Sequence, residues 1–135
     1  MGRSLLILLD THVVIWLAQD YERISAKAQT AIRDARKKEH GMAVSCISLI
    51  EIASLASHGQ IRLTPHAETV LAEVEDRFVV LPITANIALQ AFELPASYPK
   101  DPADRIIGAT ALIEDIPLIT ADAQIRKSRA VPTVW

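Results

Sequence analysis

The feature that most constrains the fold is an uninterrupted apolar run at positions 5–9 that leads directly into Asp10. An apolar run without polar alternation predicts a strand that is buried on both faces, as in the middle of a parallel sheet. Open parallel sheets bind their ligands beyond the carboxyl ends of the strands. Asp10 therefore lies at the edge where such a sheet binds its ligands. A functional site there also requires polar residues from other segments of the chain.

Similar apolar runs alternate with helical segments along the whole chain. Strands are predicted at residues 5–9, 42–44, 78–81, 117–120 and 131–135. Helices are predicted at residues 11–19, 26–38, 46–57 and 85–92, after Thr64-Pro65, from Asp101-Pro102 and from Asp122. This alternation indicates βα units around a parallel sheet. We expect one α/β domain over residues 1–135, a three-layer α/β/α sandwich with about five parallel strands, and a buried strand at 78–81.

Polar residues mark where several of these helices begin. Ser25, Ser45, Thr64 and Thr84 each precede a helical segment and are suited to cap it. Pro65 follows Thr64 and is suited to the first helical position.

Composition narrows the class of protein. Half of the residues are hydrophobic and the formal net charge is −2, which excludes a disordered or strongly basic chain. The single cysteine excludes an intramolecular disulfide and suits a reducing compartment. The sequence has no recognisable signal peptide and no apolar run long enough to span a membrane. We expect a soluble cytoplasmic protein without a membrane partner.

Five acidic residues lie at positions suited to a shared site. Asp10, Asp101 and Asp122 can each be explained as helix N-caps, which leaves their individual roles open. Glu51 lies in a helix that is apolar on most faces, so it is expected to be partly buried and to need an arginine, a proton or a metal ion. Asp104 lies in a first helical turn, where the helix dipole alone would favour it.

The joint pattern of these acids is more informative than any one position. Asp10, Glu51, Asp104 and Asp122 come from segments that can meet at one edge of a parallel sheet. Converging carboxylates repel each other and need a cation, and Mg²⁺ or Mn²⁺ suits an all-oxygen site. One or two such ions would orient a phosphate and activate a water molecule for attack on phosphorus.

The sequence lacks the residues that other types of active site require. None of the four glycines forms a phosphate-binding loop after the first strand, and no serine lies in a nucleophile elbow. A haloacid-dehalogenase-type phosphatase needs an aspartate two residues after the first, where this chain has His12. The role of His12 stays open between substrate contact and a packing or capping role.

Four segments together resemble the motif set of PIN-domain ribonucleases, and more narrowly that of VapC-type toxins from toxin–antitoxin pairs. The segments are Leu9-Asp10-Thr11-His12, Leu49-Ile50-Glu51-Ile52-Ala53, Asp101-Pro102-Ala103-Asp104-Arg105-Ile106-Ile107 and Leu118-Ile119-Thr120-Ala121-Asp122. They occur in the family's order, and the resemblance covers essentially the whole chain.

This resemblance implies a metal-dependent endoribonuclease that is dimeric and is held inactive by a cognate antitoxin. One or two Mg²⁺ or Mn²⁺ ions would be bound by Asp10, Glu51, Asp104 and Asp122. The side chains of Thr11 and Thr120 would orient these ligands. Asp101 would act as a helix cap or support the site from outside.

The resemblance also directs attention to groups that would contact RNA or a partner. Lys100, Arg105 and Arg126 are the candidate phosphate contacts, and Tyr98 and Trp135 are expected to be exposed at an interface. The alternative is a catalytically silent PIN-like module that binds RNA or a protein. The four intact acids argue against it, because gathering carboxylates is costly for a module that does not use them.

Overall fold

The sheet consists of five parallel strands with the first strand at its centre. The computed structural model describes residues 6–37, 41–63 and 66–135. The strands are β1 Ile7–Leu9, β2 Met42–Ser45, β3 Val79–Leu81, β4 Leu118–Ile119 and β5 Thr133–Val134. They lie in the order β3-β2-β1-β4-β5. The predicted five-stranded parallel sheet is confirmed, and its strand order reverses at β1, where such folds place their ligand sites.

Seven α-helices are seen in the described residues. They are α1 Thr11–Gln19, α2 Ala26–Arg36, α3 Cys46–Ser57, α4 Ala67–Arg77, α5 Ala85–Glu93, α6 Pro102–Glu114 and α7 Ala123–Ser128. The predicted caps Ser25, Ser45 and Thr84 all accept a hydrogen bond from a backbone N–H of their helix. Helix α4 begins at Ala67, and the predicted cap at Thr64-Pro65 lies outside the described residues.

The central strands divide the core into two clusters. Ile7 and Leu9 pack into one cluster with α1 and α2, whereas Leu8 packs into the other with α6. Successive strand residues point to opposite faces of a sheet, so each cluster lies on a different face. The sandwich of helices on both faces is therefore as predicted. No helix among residues 6–37, 41–63 and 66–135 is long and apolar enough to cross a membrane.

Strand β3 differs from the prediction. It was expected to be buried, yet Val79 is 39% exposed and no β3 residue is fully buried. The reason is its place in the sheet, because β3 pairs only with β2 and forms an edge. A local apolar run does not reveal strand order, so this exposure could not be read from the sequence.

Tyr98 also differs from the prediction. Its side chain is fully buried, and its hydroxyl donates a hydrogen bond to the carbonyl of Asp104 at 3.1 Å. The ring packs against α6 at Gly108, where an added Cβ would lie only 2.2 Å from the Tyr98 hydroxyl oxygen. The loop before α6 is thereby fixed against that helix. Trp135 is half-buried rather than exposed and contacts Trp16.

Candidate active site

Asp10 is held at the carboxyl end of β1 by two hydrogen bonds. Its Oδ1 atom accepts from the backbone N–H of Thr11 at 2.9 Å, and its Oδ2 atom accepts from the hydroxyl of Thr120 at 2.6 Å. The side chain is 8% exposed. Each carboxylate oxygen keeps a further lone pair, so the group can cap α1 and still serve as a ligand.

Thr120 links Asp10 to a second acid. While its hydroxyl donates to Asp10, the same oxygen accepts from the backbone N–H of Asp122 at 3.1 Å. Asp122 caps α7 through a bond from the N–H of Ile125 to its Oδ1 at 2.9 Å. The end of β4 thus fixes Asp122 beside Asp10, and the predicted orienting contact of Thr120 is present.

Thr11 connects α1 to Glu51. Its hydroxyl donates to Oε1 of Glu51 at 2.5 Å and lies 2.8 Å from the hydroxyl of Ser48. Ser48 is fully buried and lies one turn before Glu51 on α3. Because the Thr11 hydroxyl donates its proton to Glu51, its oxygen can accept a hydrogen bond from the Ser48 hydroxyl. Ser48, Thr11 and Glu51 then form a chain of hydrogen bonds. Sequence reasoning missed Ser48, although its i, i+3 spacing from Glu51 placed it on the same helix face.

The start of α6 supplies two more acids. Asp101 caps this helix by accepting from the N–H of Asp104 at 3.2 Å, which was one of its two predicted roles. The Asp104 side chain is partly buried, and its carboxylate accepts no hydrogen bond from the described residues. Asp104 is therefore the acid of the cluster without a fixed partner.

The charges of these acids act on one another. Burial and then the negative charges of Asp10, Asp101, Glu51 and Asp122 raise the pKa of Asp104 to about 7. Burial also raises the pKa of Asp10, against the opposing effect of the Thr120 hydrogen bond. The pKa of Glu51 is raised by burial too, and the Thr11 hydroxyl opposes this rise. The structure therefore brings together the four acids that the sequence singled out.

The donor set fits a hard divalent cation. All four acids offer oxygen ligands, and within the described residues no lysine or arginine forms a salt bridge with any of them. In the same part of the chain, no three acidic, histidine or cysteine side chains stand close enough to ligate one ion directly. Mg²⁺ typically keeps several water ligands and binds through one or two carboxylates. The acids are suited to that mode, with water molecules completing the shell.

The predicted phosphate contacts have different surroundings. The guanidinium of Arg105 donates to the backbone carbonyls of Ala91, Leu94 and Pro95 at 3.0–3.2 Å. These bonds tie the end of α5 to α6, so Arg105 has a structural role that the sequence did not suggest. Arg126 is exposed and donates to the carbonyl of Ala121 at 3.3 Å, and Lys100 is exposed near the start of α6.

Comparison with known sequences agrees with this fold. The PIN domain model matches residues 7–130. The chain is 37% identical over 131 residues to ribonuclease VapC22 of Mycobacterium tuberculosis, covering 96% of this chain and 98% of the relative. The matches span nearly all of the chain, which therefore belongs to the PIN domain family, in its VapC branch.

Solved structures share the fold at low sequence identity. The structure of VapBC2 from Rickettsia felis bound to a promoter DNA fragment aligns with a TM-score of 0.73 at 15% identity, covering 95% of this chain and 96% of that one. VapBC-5 from Mycobacterium tuberculosis, described as a member of a family of toxin–antitoxin systems, aligns with a TM-score of 0.66 at 19% identity, covering 96% and 98%. These likenesses establish the α/β/α architecture.

Proposed function

We propose that this protein is a metal-dependent endoribonuclease, the toxin of a toxin–antitoxin pair. The observation that carries the proposal is the convergence of Asp10, Glu51, Asp104 and Asp122 at the switch point of the sheet, where no lysine or arginine of the described residues forms a salt bridge with any of them. Such a cluster is stable at neutral pH only with protons or cations. The ribonuclease name of the relative from Mycobacterium tuberculosis supports RNA as the substrate class.

The protein's own groups would prepare this cluster for catalysis. Mg²⁺ or Mn²⁺, when held among the four acids by one or two carboxylates and water molecules, would supply charge neutralisation and a water molecule activated for attack on phosphorus. The Thr120 and Thr11 hydroxyls stabilise the ionised forms of Asp10 and Glu51 and fix their orientation. Asp104, with a pKa of about 7, shares its carboxyl between the protonated and ionised forms near neutral pH, so cation binding there displaces a proton.

RNA cleavage by the isolated protein tests this proposal. Protein purified away from any antitoxin is expected to cleave single-stranded RNA with Mg²⁺ or Mn²⁺, to stop in EDTA and to recover when the metal is restored. Asp10→Asn is expected to abolish cleavage, whereas Asp115→Asn, at the exposed C-terminus of α6, serves as the matched control. Equal cleavage by Asp10→Asn would refute the nuclease assignment. RNA binding without cleavage would favour a catalytically silent module.

Two protein partners complete the proposal, an antitoxin and a second copy of the chain. The VapBC complexes among the solved structures support the antitoxin. Exposed apolar side chains support protein contacts, because Leu89 and Phe92 on α5 are 66% and 90% exposed and Ile50 on α3 is 64% exposed. Light scattering of the free protein should report a dimer that Phe92→Asp weakens. A monomeric parent protein would contradict the second copy.

Genetic context tests the antitoxin separately. We expect an adjacent small reading frame that encodes a DNA-binding N-terminus and a hydrophobic C-terminal tail. Co-expression of its product should suppress RNA cleavage. A neighbouring product that binds the protein without lowering its activity would contradict the toxin–antitoxin assignment.

A further inference from the structure

An aromatic cluster lies beside the acids and takes no part in holding them. It consists of His12, Trp16 and Trp135, with Arg23 at its side. The ring centroids of His12 and Trp16 are 6.2 Å apart, and those of Trp16 and Trp135 are 6.0 Å apart. The guanidinium carbon of Arg23 lies 4.7 Å from the centroid of the Trp16 ring, in a cation–π contact.

One end of the aromatic cluster, His12, lies next to the acids. His12 directly follows Thr11, whose hydroxyl holds Glu51. Burial raises the pKa values of both Asp10 and Glu51, and the charge of His12 opposes each rise, so the imidazole lies within electrostatic reach of both carboxylates. His12 and Trp16 are four residues apart on α1 and share one helix face. The aromatic surface therefore extends from the acids along α1.

The cluster is only partly explained as core packing. Trp16 and Trp135 are half-buried and pack against the core beneath them, whereas His12 is exposed. No hydrogen bond from residues 6–37, 41–63 or 66–135 fixes the imidazole, whose neighbour is the Trp16 ring. The His12 and Trp16 rings are inclined by 50° and the Trp16 and Trp135 rings by 51°, so neither pair is stacked face to face, and the Arg23 guanidinium lies over the Trp16 ring.

The exposed imidazole of His12, with the half-buried Trp16 ring and the exposed Arg23 guanidinium beside it, matches the chemistry of unpaired nucleobases next to the proposed cleavage site. Single-stranded RNA is recognised by stacking of its bases on histidine, tryptophan and arginine planes. We propose that His12 and the adjoining Trp16 and Arg23 form a base-stacking subsite for the nucleotide next to the scissile phosphate. The subsite rests on the proposed ribonuclease function for its orientation, but base binding itself does not require cleavage.

Tryptophan fluorescence measures this binding directly, because both tryptophans of the chain, Trp16 and Trp135, belong to the cluster. The non-cleaving Asp10→Asn protein in Mg²⁺ is titrated with a short single-stranded oligoribonucleotide. A matched oligonucleotide carries the same phosphates with abasic residues. We expect the normal oligonucleotide to quench the fluorescence and to bind about tenfold more tightly than the abasic one, which is the effect of one stacked base.

Substitutions at His12 separate stacking from hydrogen bonding and charge. In the same background, His12→Ala should weaken binding about tenfold, and His12→Phe should restore it because the flat ring is kept. His12→Gln, which keeps polarity without a ring, should behave like His12→Ala. His58→Ala is the control, because His58 is also exposed but bonds to the end of its own helix. Thermal unfolding checks that each variant is folded.

The outcomes distinguish this inference from the proposed function. Equal binding and quenching by the abasic oligonucleotide, or unchanged binding by His12→Ala, would overturn the subsite even if the parent protein cleaves RNA. Base-dependent quenching by a parent protein that never cleaves RNA would support the subsite and overturn the nuclease. Quenching by the antitoxin's C-terminal peptide but not by the oligonucleotide would overturn the subsite in favour of a protein contact.

Discussion

The two sides of the acidic site are built differently. On the side of β1, Asp10 and Glu51 accept short hydrogen bonds from Thr120 and Thr11 at 2.6 and 2.5 Å. On the side of α6, the carboxylate of Asp104 accepts no such bond from the described residues, and its pKa is raised to about 7. On the first side, the threonine hydroxyls oppose the rise in pKa that burial causes for Asp10 and Glu51, whereas on the second side no such donor from the described residues opposes the rise for Asp104. The hydroxyls that orient the carboxylates therefore act on Asp10 and Glu51, whereas the acid at the start of α6 depends most on a cation to balance its charge.

The largest expected effect is the loss of RNA cleavage when an acid on either side of the site is neutralised. Asp10→Asn and Asp104→Asn should each lower kcat/KM for RNA by about a thousandfold, because each removes a charge worth several kcal/mol to the transition state. The metal-free proteins should differ in thermal unfolding. Asp104→Asn should raise the Tm because it relieves repulsion without losing a hydrogen bond, whereas Asp10→Asn weakens two charge-assisted bonds.

Asp115→Asn, at the other end of α6, controls for the change of charge on that helix. It should leave kcat/KM unchanged. Equal Tm shifts for Asp10→Asn and Asp104→Asn would remove the distinction between the two sides.

The next largest effect concerns metal addition and removal. Saturation with Mg²⁺ at about one hundred times its Kd should stabilise the folded protein by about 2.7 kcal/mol, and EDTA should reverse the gain. Because Asp104 depends on a cation for its charge balance, Asp104→Asn should lose most of this gain. Calorimetry with and without Mg²⁺ measures both values. A full gain in Asp104→Asn would show that the ion does not contact the α6 side.

A smaller effect is expected from the supporting hydroxyls. Thr120→Val should lower metal affinity or kcat/KM by about 10–100-fold, the usual effect of removing a group that orients a metal ligand. Thr110→Val is the matched control, since Thr110 is equally buried and its hydroxyl donates to the carbonyl of Ile106, away from the acids. Both variants should lose similar stability. An equal loss of activity in Thr120→Val and Thr110→Val would show that the Thr120 contact contributes to stability and not to metal binding.

The smallest effect is the pH dependence of the metal-free protein. The Asp104 carboxyl has a pKa of about 7 when folded and a reference value of 3.8, so the folded state binds more protons between these values. Stability should therefore fall as the pH rises from about 4 to 7 and then level off. Solvent screens this half-buried group, so we expect a loss of about 1 kcal/mol, or about 4 °C in Tm.

Thermal unfolding across this pH range measures the effect, and Asp104→Asn should reduce the slope, while Asp10 and Glu51, whose pKa values are also raised, keep part of it. The Asp115→Asn control should keep the slope of the parent protein. An unchanged slope in Asp104→Asn would assign the titration to another group.

The sequence predicted those parts of the fold and the site that depend on local patterns. The run into Asp10, the caps at Ser25, Ser45 and Thr84, and the partial burial of Glu51 all follow from neighbours along the chain. The errors concern contacts between distant segments. Tyr98 lies between two prolines in a loop, and only the space above Gly108 reveals why it is buried.

Two other groups show the same limit. The bonds of Arg105 reach carbonyls on another helix and its following loop, which no spacing on α6 indicates. Ser48 is one of several small residues in α3, and its role appears only when Thr11 is brought to 2.8 Å. Long-range packing therefore decides which of several plausible polar groups belong to the site.

The hydrogen bond between Thr120 and Asp10 joins residues 110 positions apart, and it has a consequence for synthesis of the protein. Strand β4, which completes the pairing of β1, and the hydroxyl that orients Asp10 both come from the last part of the chain. A growing or prematurely terminated chain that ends before β4 lacks both. Such a chain lacks Thr120 and Asp122, so the four acids cannot be brought together before synthesis of the protein is nearly complete.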